Sequence, residues 1–279
     1  MEKERIRTYE DQHRQFFAKS IQVNSSASLT SDDWTCLTRI QNSYLTTSQS
    51  SPSSAAALEL VPEKISAFMH SIDVQNTAAV KLINFFREIP EFQQLDGHDR
   101  LVLVKYNLTV VFLIRHSLSY DNIKEICYDH DTPLNCSRND QMFAYNWKSL
   151  FILCCGYEFH RAVAILLDNL AHFINRDALV AQLVMLIILF SKGLSAEDDS
   201  EPTLHDDRRV LRAQSKYLDL LFRYLMKNTS YESVAMKMVQ LTQQILRIQR
   251  ISRDFQQYVK TKGDVTYVNP LMKSLLHFA

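Results

Sequence analysis

The stretch Val80–Asp121, VKLINFFREIPEFQQLDGHDRLVLVKYNLTVVFLIRHSLSYD, holds two apolar segments joined by a proline and a polar turn. Val80, Ile83, Phe86 and Ile89 recur every third residue, a spacing that lines one side of a helix. Pro90 has no N–H to donate and crowds the preceding turn, so this helix ends or bends near Glu88–Ile89. Asp96-Gly97 is a turn signal, and Asp99 is placed to cap a second helix from Arg100 onward. From Leu101 to Leu118 the main polar interruptions are Lys105, Asn107, Arg115 and His116. A helix that apolar on all sides is buried on most of them.

Bulk properties agree with a large helical core. The chain has 279 residues, 46% of them hydrophobic, with only 4 glycines and 6 prolines, too few for a turn-rich β architecture. Formal net charge is +0, which gives no support for direct nucleic-acid contact. The 5 cysteines (Cys36, Cys127, Cys136, Cys154 and Cys155) contain no C-x-x-C pair, so no zinc finger is expected here. Their odd number fits free thiols in a reducing compartment. Met1–Arg5 is charged and is no signal peptide. The longest apolar run, Leu179–Phe190, is too short to span a bilayer, so no membrane partner is expected.

Residues 1–28 read as a polar, hinge-like segment, and 29–279 as one domain. Thr30 and Asp33 form a capping box before a helix through Leu37, Ile40, Tyr44 and Leu45, with Leu29 and Trp34 as its hydrophobic staple. Thr46–Ser54 is a loop. Ile65–Val74 and Thr77–Glu88 read as separate helices, and a small hairpin is expected near Glu125–Phe143. Phe159–Phe173 and Leu179–Lys192 are strong apolar helices, broken at Asn175-Arg176-Asp177. Arg208–Lys227 is amphipathic, with Leu211, Tyr217, Leu218, Leu221, Tyr224 and Leu225 on its apolar side. Tyr231–Val259 is a long helix, and Pro270 opens a last short one. The fold class is therefore all-α: a three-layer helical sandwich of ten to twelve helices with one small β-hairpin, the Leu101–Leu118 helix in its middle layer.

Catalytic chemistry finds no constellation. No two of the 4 glycines lie close enough for a phosphate loop, and there is no G-x-S-x-G. The 9 histidines are scattered without metal-ligand spacing, so no metal or cofactor is expected. The protein is not expected to be an enzyme.

The opening stretch resembles the signature region of nuclear hormone receptor ligand-binding domains. The family pattern appears without gaps as Phe85-Phe86-Arg87-Glu88-Ile89-Pro90-Glu91-Phe92, Leu95, Asp99-Arg100, Leu103-Val104-Lys105 and Arg115. Arg87 replaces the usual lysine and Arg100 the usual glutamine. Further along, Thr30–Thr46 is similar to the family's first helix, Leu183–Ser191 to the eighth, Val210–Tyr224 to the ninth and Tyr231–Val259 to the fused tenth and eleventh. Pro270–Leu276 stands where the activation helix belongs. Spacing is most similar to the thyroid hormone, retinoic acid and vitamin D receptor branch.

The resemblance implies a transcription regulator of the nucleus, with shuttling to the cytoplasm open. It implies a small lipophilic ligand, acidic if Arg115 faces it, lined by Val74, Ala78, Lys81, Phe112, Arg115 and Ser119. It also implies a groove for a leucine-rich coregulator helix, built from Ile83, Arg87, Leu101, Val104 and Lys105 with Leu271, Met272, Ser274 and Leu275. There the family holds the two ends of the peptide dipole by a cation and a glutamate. Arg87 and Lys105 keep the cationic end, whereas Ser274 stands at the glutamate position beside Lys273, which weakens the activation helix. Val234, Met238, Leu241, Ile245 and Ile248 are the candidate face for a homodimer or for a heterodimer with a retinoid X receptor-like partner, and they serve equally as a core stripe. DNA contact is expected only through a zinc-finger module absent from this chain. The competing reading is a ligand-independent adaptor, with a filled pocket, that acts by dimerisation and coregulator binding.

Overall fold

A computed structural model describes residues 28–49, 64–128, 138–194, 201–227, 229–262 and 268–275. Its elements are α1 (Ser31–Gln49), α2 (Lys64–Arg87), α3 (Pro90–Gln93), α4 (Gly97–Leu118), β1 (Tyr120–Asp121), β2 (Ile126–Cys127), α5 (Arg138–Cys155), α6 (Tyr157–Ile174), α7 (Ala178–Leu189), α8 (Asp207–Met226), α9 (Tyr231–Lys262) and α10 (Pro270–Leu275). The fold is all-α with one small antiparallel hairpin, in which Tyr120 pairs Cys127 and Asp121 pairs Ile126. Residues 1–27 of the hinge-like segment and 50–54 of the expected Thr46–Ser54 loop lie outside the described residues, while Thr46–Gln49 continue α1 instead of opening that loop.

The helices sort into three layers because α4 is apolar nearly all round. It packs against α7, α6, α9, α2 and α10, while α1 rests on α2 and α7, and α8 on α7 and α9. By length and composition α4 could cross a membrane. Its apolar residues are instead spent on this central position, where Leu103, Leu108, Val111 and Ile114 are fully buried. α7 is buried along its length from Leu179 to Leu189. A polar residue joins the two central helices: Asn107 Nδ2 donates to the carbonyls of Leu189 (3.0 Å) and Ser191 (2.8 Å). These are carbonyls that the end of α7 leaves without helical partners.

The helix starts follow capping chemistry. Thr30 and Asp33 form the reciprocal capping box, with Thr30 N to Asp33 Oδ2 at 2.8 Å and Asp33 N to Thr30 Oγ1 at 3.2 Å. The same Asp33 carboxylate accepts from Arg223 of α8 and so fastens α1 across the fold. Trp34 stays exposed, with the Lys227 ammonium 4.8 Å from its ring. Asn175 takes the left-handed conformation that stops α6, and Asp177 caps α7 through the amides of Leu179 and Val180.

Several boundaries differ from the sequence reading, each for a local reason. Asp96, not Asp99, caps α4: its Oδ1 accepts the Asp99 amide at 2.8 Å, and the helix opens at Gly97. The Asp99 side chain is fully buried instead, accepting the backbone amides of His205 (2.8 Å) and Asp206 (3.0 Å). α2 runs unbroken through Val74–Thr77, since nothing there removes a donor. Its buried stripe is Ala79, Leu82, Phe85, Phe86 and Ile89, whereas Val80 faces outward. The hairpin closes earlier than expected because Asp121 Oδ1 gathers the amides of Ile123 and Lys124 (both 3.1 Å) into a tight turn. Residues 138–143 join Trp147–Cys155 in one helix, α5. On α8 the buried positions are Val210, Ala213, Tyr217, Leu220 and Leu221, and Leu211 and Leu218 are exposed. The apolar stripe is thus rotated by about one residue from the predicted one.

Candidate functional site

A cavity of about 210 Å³ opens beside the C-terminal half of α4. Seven pieces of chain wall it: α2, α4, the hairpin, α5, α6, α9 and, through Met272, the last helix α10. Its floor is aromatic. The Phe151 ring lies 5.0 Å from Trp147, 5.5 Å from Phe159 and 6.1 Å from Phe255. Gly156, at φ +89°, makes the sharp joint between α5 and α6 that sets Phe151 and Phe159 against each other.

The polar groups of this wall are few and mostly engaged. Lys148 Nζ donates to Glu125 Oε2 at 3.0 Å and to the Lys124 carbonyl at 2.8 Å. The hydrogen bond from Lys148 holds the Glu125 carboxyl below its usual range despite some burial. His116 Nδ1 sits 2.6 Å from the Phe112 carbonyl. Desolvation pushes the Cys127 thiol up to about 12, so it stays protonated. Burial lowers the His160 pKa and the nearby Lys148 charge lowers it further, while the Glu125 charge and a backbone hydrogen bond with Glu125 oppose both without reversing the direction.

Of the ligand residues expected from the sequence, Phe112 lies in this wall. Arg115 is 4% exposed and lies in the α4 interior, outside the wall. Ala78 and Lys81 are buried on α2, also outside it. Ser119 donates to the Tyr128 carbonyl at 2.6 Å and helps shape the hairpin. The Val74 side chain lies outside what is described. Sequence reasoning missed Thr109, His116, Trp147, Phe151, His160, Ser252 and Phe255. The signal for some of them was there: Trp147 and Phe151 stand one turn apart on one helix, and Phe159 follows across the glycine.

A second surface runs along the opposite half of α4. Val80, Ile83 and Arg87 share one face of α2, with Val80 and Arg87 exposed and Ile83 half-buried. On α4, Leu101 is 64% exposed and Lys105 half-buried, with Val104 buried between them. α10 rests on both helices. Asn269 Oδ1 caps it through the Leu271 amide at 2.9 Å, and Thr109 Oγ1 donates to the Leu275 carbonyl at 3.4 Å. Met272 and Leu275 point into the core, and Leu271 and Ser274 lie half-buried at the edge.

On α9 the candidate dimer stripe turns inward. Val234, Leu241 and Ile248 are buried, and Met238 and Ile245 pack half-buried against the core. The exposed large hydrophobic residues of that helix are Tyr231, Met236, Val239 and Leu246. Asp96, Asp99 and His205 bring three possible metal donors together. Their oxygens already accept the Asp99, His205 and Asp206 amides and the His205 ring, so their chemistry here is structural.

No curated protein matches the chain. The family model described as the ligand-binding domain of nuclear hormone receptor matches residues 62–262, a span that holds α2 to α9. The chain therefore belongs to the nuclear hormone receptor family, as a ligand-binding domain.

Proposed function

We propose that this domain binds a compact apolar molecule in the cavity beside α4 and docks a leucine-rich coregulator helix on the α2–α4–α10 surface. It would act in the nucleus as a ligand-regulated controller of transcription, and the family it belongs to is generally not enzymatic. The observation that carries this reading is the position of α10. Met272 forms part of the cavity wall, while Leu271 and Ser274 border the exposed surface that holds Leu101 and Arg87. Whatever fills the cavity therefore bears on the edge of the groove. An open cavity favours this over an adaptor with a filled pocket, and at about 210 Å³ it lies below the usual range of roughly 300–1,000 Å³, which suits a small ligand.

The activation side is weak. Arg87 and Lys105 can hold the C-terminal end of a docked helix, but Ser274 offers no anion to its N-terminal amides, and Lys273 beside it has the wrong sign. Corepressor binding or a ligand-independent state is favoured over recruitment of a coactivator. An exposed set on α9, Met236, Val239 and Leu246, is the best candidate for a homodimer or a retinoid X receptor-like heterodimer. Titrating a labelled leucine-rich coactivator peptide against the wild type and Ser274→Glu tests the groove. The carboxylate should tighten binding several-fold, in line with a charge–dipole contribution of about 0.3–1 kcal/mol. An unchanged affinity would remove α10 from the docking site.

A further inference from the structure

We infer that Glu125 sets the charge selectivity of the cavity: by holding Lys148 it leaves the wall without a cation to offer, so the cavity takes an uncharged ligand and turns away a carboxylate. The inference deepens the proposal above and rests on it, since the cavity must first be a ligand site. Among the described residues of the wall, Lys148 is the one lysine or arginine and Glu125 the one carboxylate. The two are paired, with Lys148 Nζ 3.0 Å from Glu125 Oε2. Both side chains keep access to solvent, at 23% and 37% exposure, so the pair stands where the wall meets water. Helical spacing turns Lys148 towards the cavity: Ala144 and Phe151, one turn before and after it on α5, are also wall residues. Glu125 immediately precedes Ile126 and Cys127, which belong to the same wall.

The backbone is bent to make this pair. Glu125 holds φ +53°, a left-handed conformation that residues with a side chain rarely adopt. Glycine or asparagine takes that conformation at lower cost, but neither carries a carboxylate. The turn sets the Lys124 carbonyl and the Glu125 carboxylate around one ammonium, at 2.8 and 3.0 Å. The Glu125 backbone also hydrogen-bonds with His160 of α6. A left-handed residue with a long side chain persists only where its surroundings hold it. Here they are α5 and α6, the helices that carry Phe151 and Phe159 of the aromatic floor. The Lys148 hydrogen bond also keeps the carboxyl below its usual range, so the anion is present at neutral pH.

A ligand carboxylate that reaches Lys148 has to displace an anion tethered at contact distance, and Glu125 repels it once there. No other cation of the wall takes the place of Lys148. Arg115 is buried on α4 outside the wall, and Lys124 and Arg161, whose charge also acts on Glu125, are exposed and outside it. Of the two imidazoles, His116 Nδ1 is taken by the Phe112 carbonyl, and the lowered pKa of His160 leaves it uncharged at neutral pH. An uncharged ligand avoids this conflict and gains from the aromatic and aliphatic remainder of the wall. Removing only the charge of Glu125 reverses the balance. Glu125→Gln keeps the shape of the side chain and an oxygen for Lys148, but leaves an ammonium whose strongest partner is a ligand anion.

The test titrates 2-naphthamide and 2-naphthoate, alike in shape and different in charge, calorimetrically into the intact 279-residue chain at neutral pH. The wild type should bind the amide about tenfold tighter than the acid, the size expected when one charged hydrogen bond is denied to the ligand. Glu125→Gln should raise the acid-to-amide affinity ratio about tenfold. Glu125→Gln combined with Lys148→Gln should return the ratio to near its wild-type value, because the cation is then gone. The wild-type ratio reports even if the variants fold poorly. An acid that matches or exceeds the amide in the wild type, or an unchanged ratio in Glu125→Gln, overturns the role of Glu125, while binding itself keeps the cavity as a ligand site. If neither probe binds any of these proteins, the ligand-site reading falls and this inference with it.

Discussion

The two halves of α4 do opposite work. Its N-terminal half, from Asp96 to Lys105, leaves Leu101 exposed and is tied to the chain before α8 by the His205 and Asp206 amides that Asp99 accepts. Its C-terminal half, from Thr109 to Leu118, borders empty space and is ringed by aromatic side chains. The first half spends its polar groups on holding the fold. The second spends its own on bonds within α4 and to α10, as His116 beside the Phe112 carbonyl and Thr109 to the Leu275 carbonyl. In one helix the sequence has separated an outer surface beside α2 and α10 from an inner cavity wall, and the division follows the helix axis.

Truncating an aromatic in each half puts this division at risk. Phe86 of α2 is fully buried in the core away from the cavity wall, and Phe86→Ala should cost roughly 3–5 kcal/mol in urea unfolding. Phe151 already faces the cavity, so Phe151→Ala should cost clearly less while enlarging the space for bulkier probes. Equal losses would mean that the cavity half carries as much of the stability as the other.

Next in size is Asp99. Its carboxylate satisfies two buried backbone amides, and Asp99→Ala leaves both without an acceptor. A loss of roughly 2–3 kcal/mol should follow, with α8 loosened at its start. If the loss is within experimental error, the loop before α8 is held by other contacts.

The smallest effect is in the response to acid, which should come in two stages. The His160 pKa is depressed below 6.5, so its contribution to stability is present above that value and is lost as pH falls through the folded-state value. In the other half, burial would raise the Glu91 carboxyl, but hydrogen bonds from Lys216 (2.5 Å) and Tyr217 outweigh it and hold the carboxyl below 4.5. That contribution is present above 4.5 and is lost only at lower pH. Trp147 lies in the cavity wall, so in Trp34→Phe protein its fluorescence should change at a higher pH than the far-ultraviolet circular dichroism. Coincident transitions would show that the halves do not titrate separately.

The packed half was legible in the sequence because its residues are contiguous. The proline, the turn and the apolar run after it lie within about forty positions, and local rules place each. The role of Asp99 escaped those rules, because its partners are more than a hundred residues away. The cavity half escaped for a related reason. Its wall is assembled from seven elements, and His160 and Ser252 are unremarkable until the fold sets both into one cavity. Arg115 shows the converse. Its sequence position marked it as a candidate ligand contact, and on the folded helix it is buried but not among the residues of the cavity wall. The α9 stripe was legible as apolar, but periodicity alone could not say whether it faced a partner or its own core.

α10 has six residues, well short of the dozen or more at which an isolated helix becomes stable in water. Its order is on loan from the body of the protein, through Met272, Leu275 and one hydroxyl of Thr109. It follows α9 on the same chain, so its docking is an intramolecular equilibrium set by effective concentration and not by supply. Two things can then tune how long it stays down. A ligand does so from beneath by what it offers Met272, and a coregulator does so from the side by what it offers Leu271 and Ser274. A short helix with a modest grip is the more responsive gauge of both, since a firmly seated one would register neither.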